Sequence, residues 1–171
     1  MKLFIILAET GFSFSLIFLP ILLGLLRAQM NGGKKIDEIW FCYIVIGIGI
    51  QGLVTGMVQI LNPQFVVNDV HWPYSPFLLE LGLANFSYGI LGILSPWLSR
   101  GWQAATATGY ALFLFFTGLG HLIDMMWQGV QPGNAGPFLY SDLGVALALF
   151  ILLAMQNVTL SKGDVSNTPD E

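Results

Sequence analysis

The stretch from Thr106 to Gln128 is apolar, yet it carries a row of polar side chains spaced to share one face of a helix. The row ends with His121 and Asp124, an imidazole and a carboxylate one helical turn apart. A bilayer span needs about 20 residues, so this stretch is long enough to cross. Because an acid at mid-membrane costs roughly 2.5–3.5 kcal/mol, Asp124 should face protein or water. The pattern predicts a site built from acids and one imidazole.

The composition of the chain is that of a membrane protein. Of its 171 residues, 55% are hydrophobic and 9% are charged, and the mean hydropathy is +0.72. A soluble domain carries about 25% charged residues. The net charge of −4 excludes a basic surface for nucleic acid, and the single Cys42 excludes an intramolecular disulfide or a CxxC pair. We expect an all-α polytopic transmembrane helix bundle, with Cys42 as a packing residue.

Apolar runs alternate with short polar connections along the whole chain. They predict one helical domain over residues 1–160, with five spans at about 3–26, 39–61, 77–98, 102–127 and 138–156. Residues 62–76 are predicted to form a loop, and the polar tail 161–171 is expected to be disordered. In the second span Gly49, Gly52 and Gly56 form a small-residue face suited to close helix packing.

The distribution of basic residues predicts the orientation. Arg27, Lys34 and Lys35 lie in or beside the first loop, Arg100 lies in the third, and Lys162 lies in the tail. The second and fourth loops contain neither lysine nor arginine. By the positive-inside rule the N-terminus is outside and the C-terminus inside, against the single opposing charge of Lys2.

This orientation brings the intramembrane acids to a similar depth. With a rise of about 1.5 Å per residue, Glu9, Glu80, Asp124 and Asp142 all fall in the outer third of the bilayer, together with His121. No lysine or arginine lies in that layer to neutralise them. Either some of the acids hold protons, or a bound cation compensates their charge.

Each acid also has a structural explanation. Glu9, Glu80 and Asp142 lie in first helical turns, where the helix dipole favours a negative charge. Asp124 lies near the end of its helix, where the dipole disfavours an anion, so its natural partner is His121 or a cation.

Three further polar residues have two interpretations. Asn85 fits an interhelical hydrogen bond as well as a ligand contact. Asp69 and His71, in the second loop, would add ligands from the outer side or remain solvated.

Three runs carry a resemblance to a known family: 71–95 (HWPYSPFLLELGLANFSYGILGILS), 120–126 (GHLIDMM) and 132–143 (PGNAGPFLYSDL). They resemble a family of small prokaryotic multi-pass membrane proteins catalogued as a domain of unknown function. The resemblance covers spans three to five, and it implies recurring polar positions at Glu80, Asn85, His121, Asn134 and Asp142. It also implies a location in the inner membrane of a prokaryotic cell, and it implies no chemistry for the polar positions. A looser likeness is to small four-helix DoxX-type membrane proteins.

Three classes of function remain open. The first is a site that binds or passes a cation, either a proton or a divalent metal such as Mn, Fe or Zn, with Glu80, His121, Asp124 and Asp142 as ligands. Asn85 would complete the lining of that site. The second is a structural or accessory subunit that associates with other membrane proteins or with itself. The third is a small intramembrane enzyme acting on a lipid or quinone-like molecule through a carboxylate and His121.

Overall fold

The computed structural model describes residues 2–70, 74–128 and 138–165, and every element in these ranges is helical. Five of the helical stretches are long and apolar enough to cross a membrane, which confirms the predicted number of candidate spans. The elements are α1 (Lys2–Asn31), α2 (Lys35–Cys42), a π-helical stretch (Tyr43–Ile50), α3 (Gln51–Leu61), α4 (Pro63–Val70), α5 (Phe77–Leu94), a 3₁₀ turn (Ser95–Trp97), α6 (Arg100–Gln128) and α7 (Phe138–Val165).

Several helices are longer in the structure than the spans predicted from the sequence. The helix α1 continues to Asn31, and the second span already begins at Lys35, so the connection between them is a short turn. Gly32 has φ 65°, a backbone conformation that glycine adopts at little cost. The last helix extends to Val165 and takes in the first residues of the predicted polar tail, while residues 166–171 lie outside the described part.

The prediction of a loop over residues 62–76 is wrong in its first half, where the chain forms α4. Pro63 begins this helix, a position where a missing backbone N–H costs nothing. Val66 is buried, whereas Phe65 is exposed. The segment is therefore a short helix with one side packed on the bundle. The sequence predicted a loop here because the segment is rich in turn-forming residues.

Glycines bring α3 and α5 into backbone contact. A Cβ on Gly52 would lie 2.7 Å from the backbone nitrogen of Gly89, and one on Gly56 would lie 2.6 Å from that of Phe86. The prediction that Gly52 and Gly56 face another helix is therefore confirmed. Gly49 meets Gly92 in the same way, so the two helices approach closely over several turns.

The other helices surround a core of large side chains. Tyr43 from the π-helical stretch, Tyr110 from α6 and Val145 from α7 are fully buried in it, together with Leu16 from α1. The hydroxyl of Tyr43 donates a hydrogen bond to the backbone carbonyl of Ile17 at 2.5 Å, which ties α1 to the second span. Cys42 is buried and free, as expected for a packing residue.

Exposed aromatic side chains mark the two ends of the bundle. Trp97 and Trp102 are exposed at the end that carries the arginines, and Tyr74 and Trp127 are exposed at the opposite end. Trp102 and Trp127 are separated by about 38 Å along α6, on a rise of about 1.5 Å per residue. Tryptophan and tyrosine favour the level of the lipid head groups, so these residues indicate where the membrane surfaces lie.

Candidate functional site

The polar row of α6 faces the interior of the bundle. Thr106, Tyr110 and His121 are buried, at the helical spacing of the buried Ala107, Leu114 and Gly118. Thr117 satisfies its hydroxyl within its own helix, by donating to the carbonyl of Phe113 at 2.9 Å. The expectation that this row faces protein is thus confirmed for its buried members.

The helix α7 approaches α6 most closely at Gly118. A Cβ on Gly118 would lie 2.7 Å from Leu143 Cδ2 and 3.5 Å from Asp142 Cβ. The absence of a side chain at this position makes room for the Leu143 side chain, and Asp142, the residue before it in α7, lies beside Gly118 at an ordinary van der Waals distance. His121 follows one turn later on the same face of α6.

Asp142 is a buried acid, with 7% of its surface exposed. Within the described part of the chain its carboxyl has no ion pair; the salt bridges found there join Arg27 to Glu38 and Arg100 to Asp37. From Gly101 to Ser161 the sequence contains neither lysine nor arginine. A charged carboxylate without a counter-charge is costly in a low-dielectric interior, so this group needs a proton or a bound cation.

The hydroxyl of Tyr110 is a second unusual polar group in this interior. It is completely buried, and none of the described groups forms a hydrogen bond with it. Its ring packs against Tyr88 and Phe113, with centroid separations of 5.2 and 6.1 Å. A buried hydroxyl with no partner of its own needs an explanation, such as a bound water or ligand.

His121 is buried at 5% exposure, and it interacts electrostatically with the half-buried Asp124. The pairing expected from their spacing remains a prediction, which the electrostatic influence of Asp124 on His121 supports. Asp124 is the more accessible partner, because it lies one turn closer to the end of α6.

Glu80 does not join these residues. The buried positions of α5 are Leu78, Gly82, Asn85, Gly89 and Gly92, which form the face against α3. Glu80 lies between Leu78 and Gly82 in sequence and so points away from that face, where its side chain is exposed. Depth along the helix was predicted from the sequence, but the glycine contacts with α3 set the direction in which Glu80 points.

The expected metal site of Glu80, His121, Asp124 and Asp142 is not assembled. Among the residues that the structure describes, no group of three or more His, Cys, Asp or Glu side chains is arranged to hold a metal ion. The predicted convergence of these four residues into one metal site is therefore not found among the described residues.

Asn85 belongs to a different interface. Its amide nitrogen donates to Gln59 Oε1 at 3.0 Å and, more weakly, to the carbonyl of Leu81 at 3.4 Å. Both Asn85 and Gln59 are buried between α3 and α5. This is the interhelical hydrogen bond that the sequence allowed as one interpretation, and Gln59 is the partner that the sequence did not reveal.

Four of the residues considered from the sequence lie beyond what the structure describes. Neither His71 nor Asn134 is in the described ranges, nor are the side chains of Glu9 and Asp69.

A charged network at the other end of the bundle was not predicted as a site. Arg27 Nε donates to Glu38 Oε2 at 2.8 Å, and Arg100 donates to Asp37 Oδ1 at 3.2 Å. Gln156 of α7 also donates to Asp37 Oδ1, at 3.1 Å. The sequence identified these arginines only as signals of orientation, because their acidic partners lie 11 and 63 residues away.

A family model, described as a family of unknown function (DUF6790), matches residues 10–162. The chain belongs to this family. The match confirms the resemblance drawn from the three sequence runs, and it does not extend to the DoxX-type proteins. Searches of curated proteins and of solved structures found no match. The chemistry of the site is therefore argued from its geometry.

Proposed function

We propose that this protein is a multi-pass membrane protein that binds and passes protons through Asp142, with His121 as the neighbouring group on the way to the outer surface. The observation that carries the proposal is a carboxyl buried between α6 and α7, with no ion pair in the described part of the chain. Ionisable residues inside a membrane bundle are costly to keep, and they commonly mark ion or proton pathways.

The surroundings of Asp142 support reversible protonation. The Tyr110 hydroxyl is buried without a described hydrogen-bond partner, which suits a bound water molecule in the interior that also contains Asp142. His121 and Asp124 lie on α6 beyond Gly118, toward the end marked by Trp127. A carboxyl, an imidazole and a second carboxyl thus follow one another from the interior toward the surface, which is the order a proton relay requires.

A proton fits this arrangement better than a divalent metal. A divalent ion needs several ligands at once, and the described side chains supply no such group. A proton needs only one carboxyl whose charge is uncompensated. The proposal therefore narrows the expected cation site to a proton site centred on Asp142.

The alternative function, an accessory subunit of a larger membrane complex, is no longer favoured by the glycine faces. It was based partly on the glycine faces, which would pack against a partner. Gly52 and Gly56 instead contact the backbone of α5 in the same chain. Those glycines stabilise the fold of this protein and leave no small-residue face at that position for a second chain.

The proposed orientation places the N-terminus outside and the C-terminus inside, so that Asp142 lies nearer the outer surface. Single cysteines introduced at Asn68 and Asn134 should be labelled by a membrane-impermeant thiol reagent applied from outside, in a Cys42→Ser background. Cysteines at Lys34 and Lys162 should be protected in sealed cells. Labelling of cysteines at positions 34 and 162 from outside would show that the orientation is the opposite of the proposed one.

Proton passage is testable with purified protein in sealed liposomes that contain a pH-sensitive dye. With a valinomycin-set potassium potential, the wild type should acidify the interior, and Asp142→Asn should abolish this flux. The matched control is Glu80→Gln, which neutralises an exposed acid at similar depth and should leave the flux unchanged. Equal flux in wild type and Asp142→Asn would refute the proposal.

The protonated state of Asp142 has a direct spectroscopic signature. Infrared spectra of the wild type should contain the C=O stretch of a protonated carboxylic acid, shifted in heavy water. This band should be missing from Asp142→Asn and present in Glu80→Gln. A band that survives Asp142→Asn would assign the proton to another acid.

A further inference from the structure

A cavity of about 330 Å³ opens at the end of the bundle that carries the arginines. Four charged residues line it, Arg27, Asp37, Glu38 and Arg100. Its apolar wall includes Phe41 and Pro96, which are both partly exposed. The cavity lies at the opposite end of α6 from His121 and shares no residue with the proposed proton site.

Arg27 has donor capacity that its partners do not use. Its Nε donates to Glu38, and its guanidinium lies 4.4 Å from the ring centroid of Phe41. Within the described part of the chain, the two terminal nitrogens make no hydrogen bond. A guanidinium carries five N–H donors in a planar fork that suits the oxygens of a phosphate.

Asp37 offers the complementary charge. Both of its hydrogen bonds, from Arg100 and from Gln156, end on Oδ1. Its Oδ2 accepts none from the described residues, so it remains available to a cation in the cavity. The lining therefore presents unused donors on the terminal nitrogens of Arg27 and an unused acceptor on Asp37 Oδ2.

The equal number of positive and negative side chains in the cavity indicates which kind of ligand it can bind. Two arginines face two carboxylates, so a purely anionic group meets no net positive charge there. A group that carries a phosphate and an ammonium interacts with both signs at once. The aromatic residues Trp97 and Trp102 place the cavity at the level of lipid head groups, and the apolar wall suits the start of an acyl chain.

We propose that this cavity binds the head group of a zwitterionic phospholipid, with its phosphate on the terminal nitrogens of Arg27 and its ammonium on Asp37 Oδ2. Ethanolamine is the favoured amine, because its N–H groups can donate to the carboxylate. The glycerol and acyl chains would then leave along the apolar wall toward the membrane.

Native mass spectrometry of the delipidated protein in detergent tests this with short-chain phosphatidylethanolamine and phosphatidylglycerol of identical acyl chains. The wild type should bind one phosphatidylethanolamine in preference to phosphatidylglycerol. Arg27→Gln should weaken that binding by about tenfold, the loss expected for one charged hydrogen-bonding group. Lys34→Gln is the matched control, since it removes an exposed positive charge at the same end without lining the cavity.

Competition identifies the source of the head group. Displacement of the lipid by soluble phosphoethanolamine shows that the head group alone is recognised; binding of the lipid without such displacement shows that the intact lipid is the ligand. Either result supports the proposal. Displacement by inorganic phosphate as effectively as by phosphoethanolamine overturns it, as does equal binding of the two lipids or equal affinity in Arg27→Gln and Lys34→Gln.

A second variant covers the case in which Arg27→Gln does not fold. Asp37→Asn retains an oxygen that accepts from Arg100 and removes only the charge. It should reduce the preference for phosphatidylethanolamine over phosphatidylglycerol while circular dichroism remains that of the wild type. An unchanged preference in this variant also overturns the proposal.

Discussion

The pairs α3–α5 and α6–α7 are both held by close helix contacts, but they differ in how their polar groups are satisfied. Between α3 and α5 the buried Asn85 donates to Gln59, and glycines on both helices allow backbone contact. Between α6 and α7 one glycine, Gly118, lies against Leu143, and the neighbouring Asp142 is buried with no ion pair among the described residues.

This difference separates a structural interface from a candidate functional one. A contact such as that of Asn85 with Gln59, in which two buried amides pair with each other, needs no ligand and contributes to stability. An interface that buries an acid without a counter-charge sacrifices stability, and such costs concentrate at functional sites in membrane proteins. The comparison predicts that changes in the first pair act on stability, whereas changes in the second act on proton flux.

The largest effect on stability is expected from Gly56→Leu. A side chain there would meet the backbone of Phe86 at 2.6 Å, so the two helices must separate, at a cost of about 3 kcal/mol or more. The thermal unfolding midpoint in detergent should fall sharply. Gly120→Leu is the control, because a Cβ on Gly120 meets nothing within 4 Å. If Gly56→Leu were as stable as Gly120→Leu, close packing of α3 on α5 would not be important for stability.

A smaller loss is expected from Asn85→Ala, which leaves the buried Gln59 amide without its partner. The expected cost is about 1–2 kcal/mol, and the proton flux of the folded fraction should not change. Chemical denaturation and the liposome assay measure the two quantities separately. A large fall in flux without a fall in stability would show that Asn85 belongs to the functional site after all.

Asp142→Asn should have the opposite profile to Asn85→Ala. Because it replaces a buried acid with a neutral side chain of similar size, stability should be unchanged or higher, while the flux is lost. A strong loss of stability in Asp142→Asn would indicate that the carboxyl has a structural role in the bundle.

Gly118→Ala tests whether the close approach matters for function. The added methyl group would meet the end of the Leu143 side chain, which can move, so the stability cost should be only about 1 kcal/mol. The flux should nevertheless decrease, because the shift of Leu143 that makes room for the methyl group also disturbs Asp142, its neighbour in α7. Flux equal to that of the wild type would show that the position of Asp142 is not critical.

The smallest expected contrast concerns the residues at the edge of the site. His121→Gln should lower the flux without abolishing it, because the imidazole is a step on the path and Asp142 is its centre. Glu9→Gln, at the edge of the acidic layer, should lower it less. A larger loss of proton flux in Glu9→Gln than in His121→Gln would indicate that the proton path follows α1 and not α6.

The number of candidate spans, the glycine face of the second span and the inward polar row of α6 all follow from the amino-acid sequence. A membrane span requires a long apolar run, and residues three or four apart in a helix share a face, so composition and spacing contain this information. Depth along each helix also follows from a constant rise per residue. That is why His121, Asp124, Asp142 and Glu80 could be placed in one layer from their positions alone.

Which helix meets each face is a property of the tertiary structure alone. The sequence predicts one depth for Glu80 and Asp142, yet the glycine contacts between α3 and α5 leave Glu80 exposed, while Asp142 is buried where α7 packs against Gly118. Likewise, Arg100 meets Asp37 from 63 residues away, in a network that no local pattern reveals. Periodicity describes one helix at a time, and the rotation of each helix about its axis is set by the shapes of its neighbours.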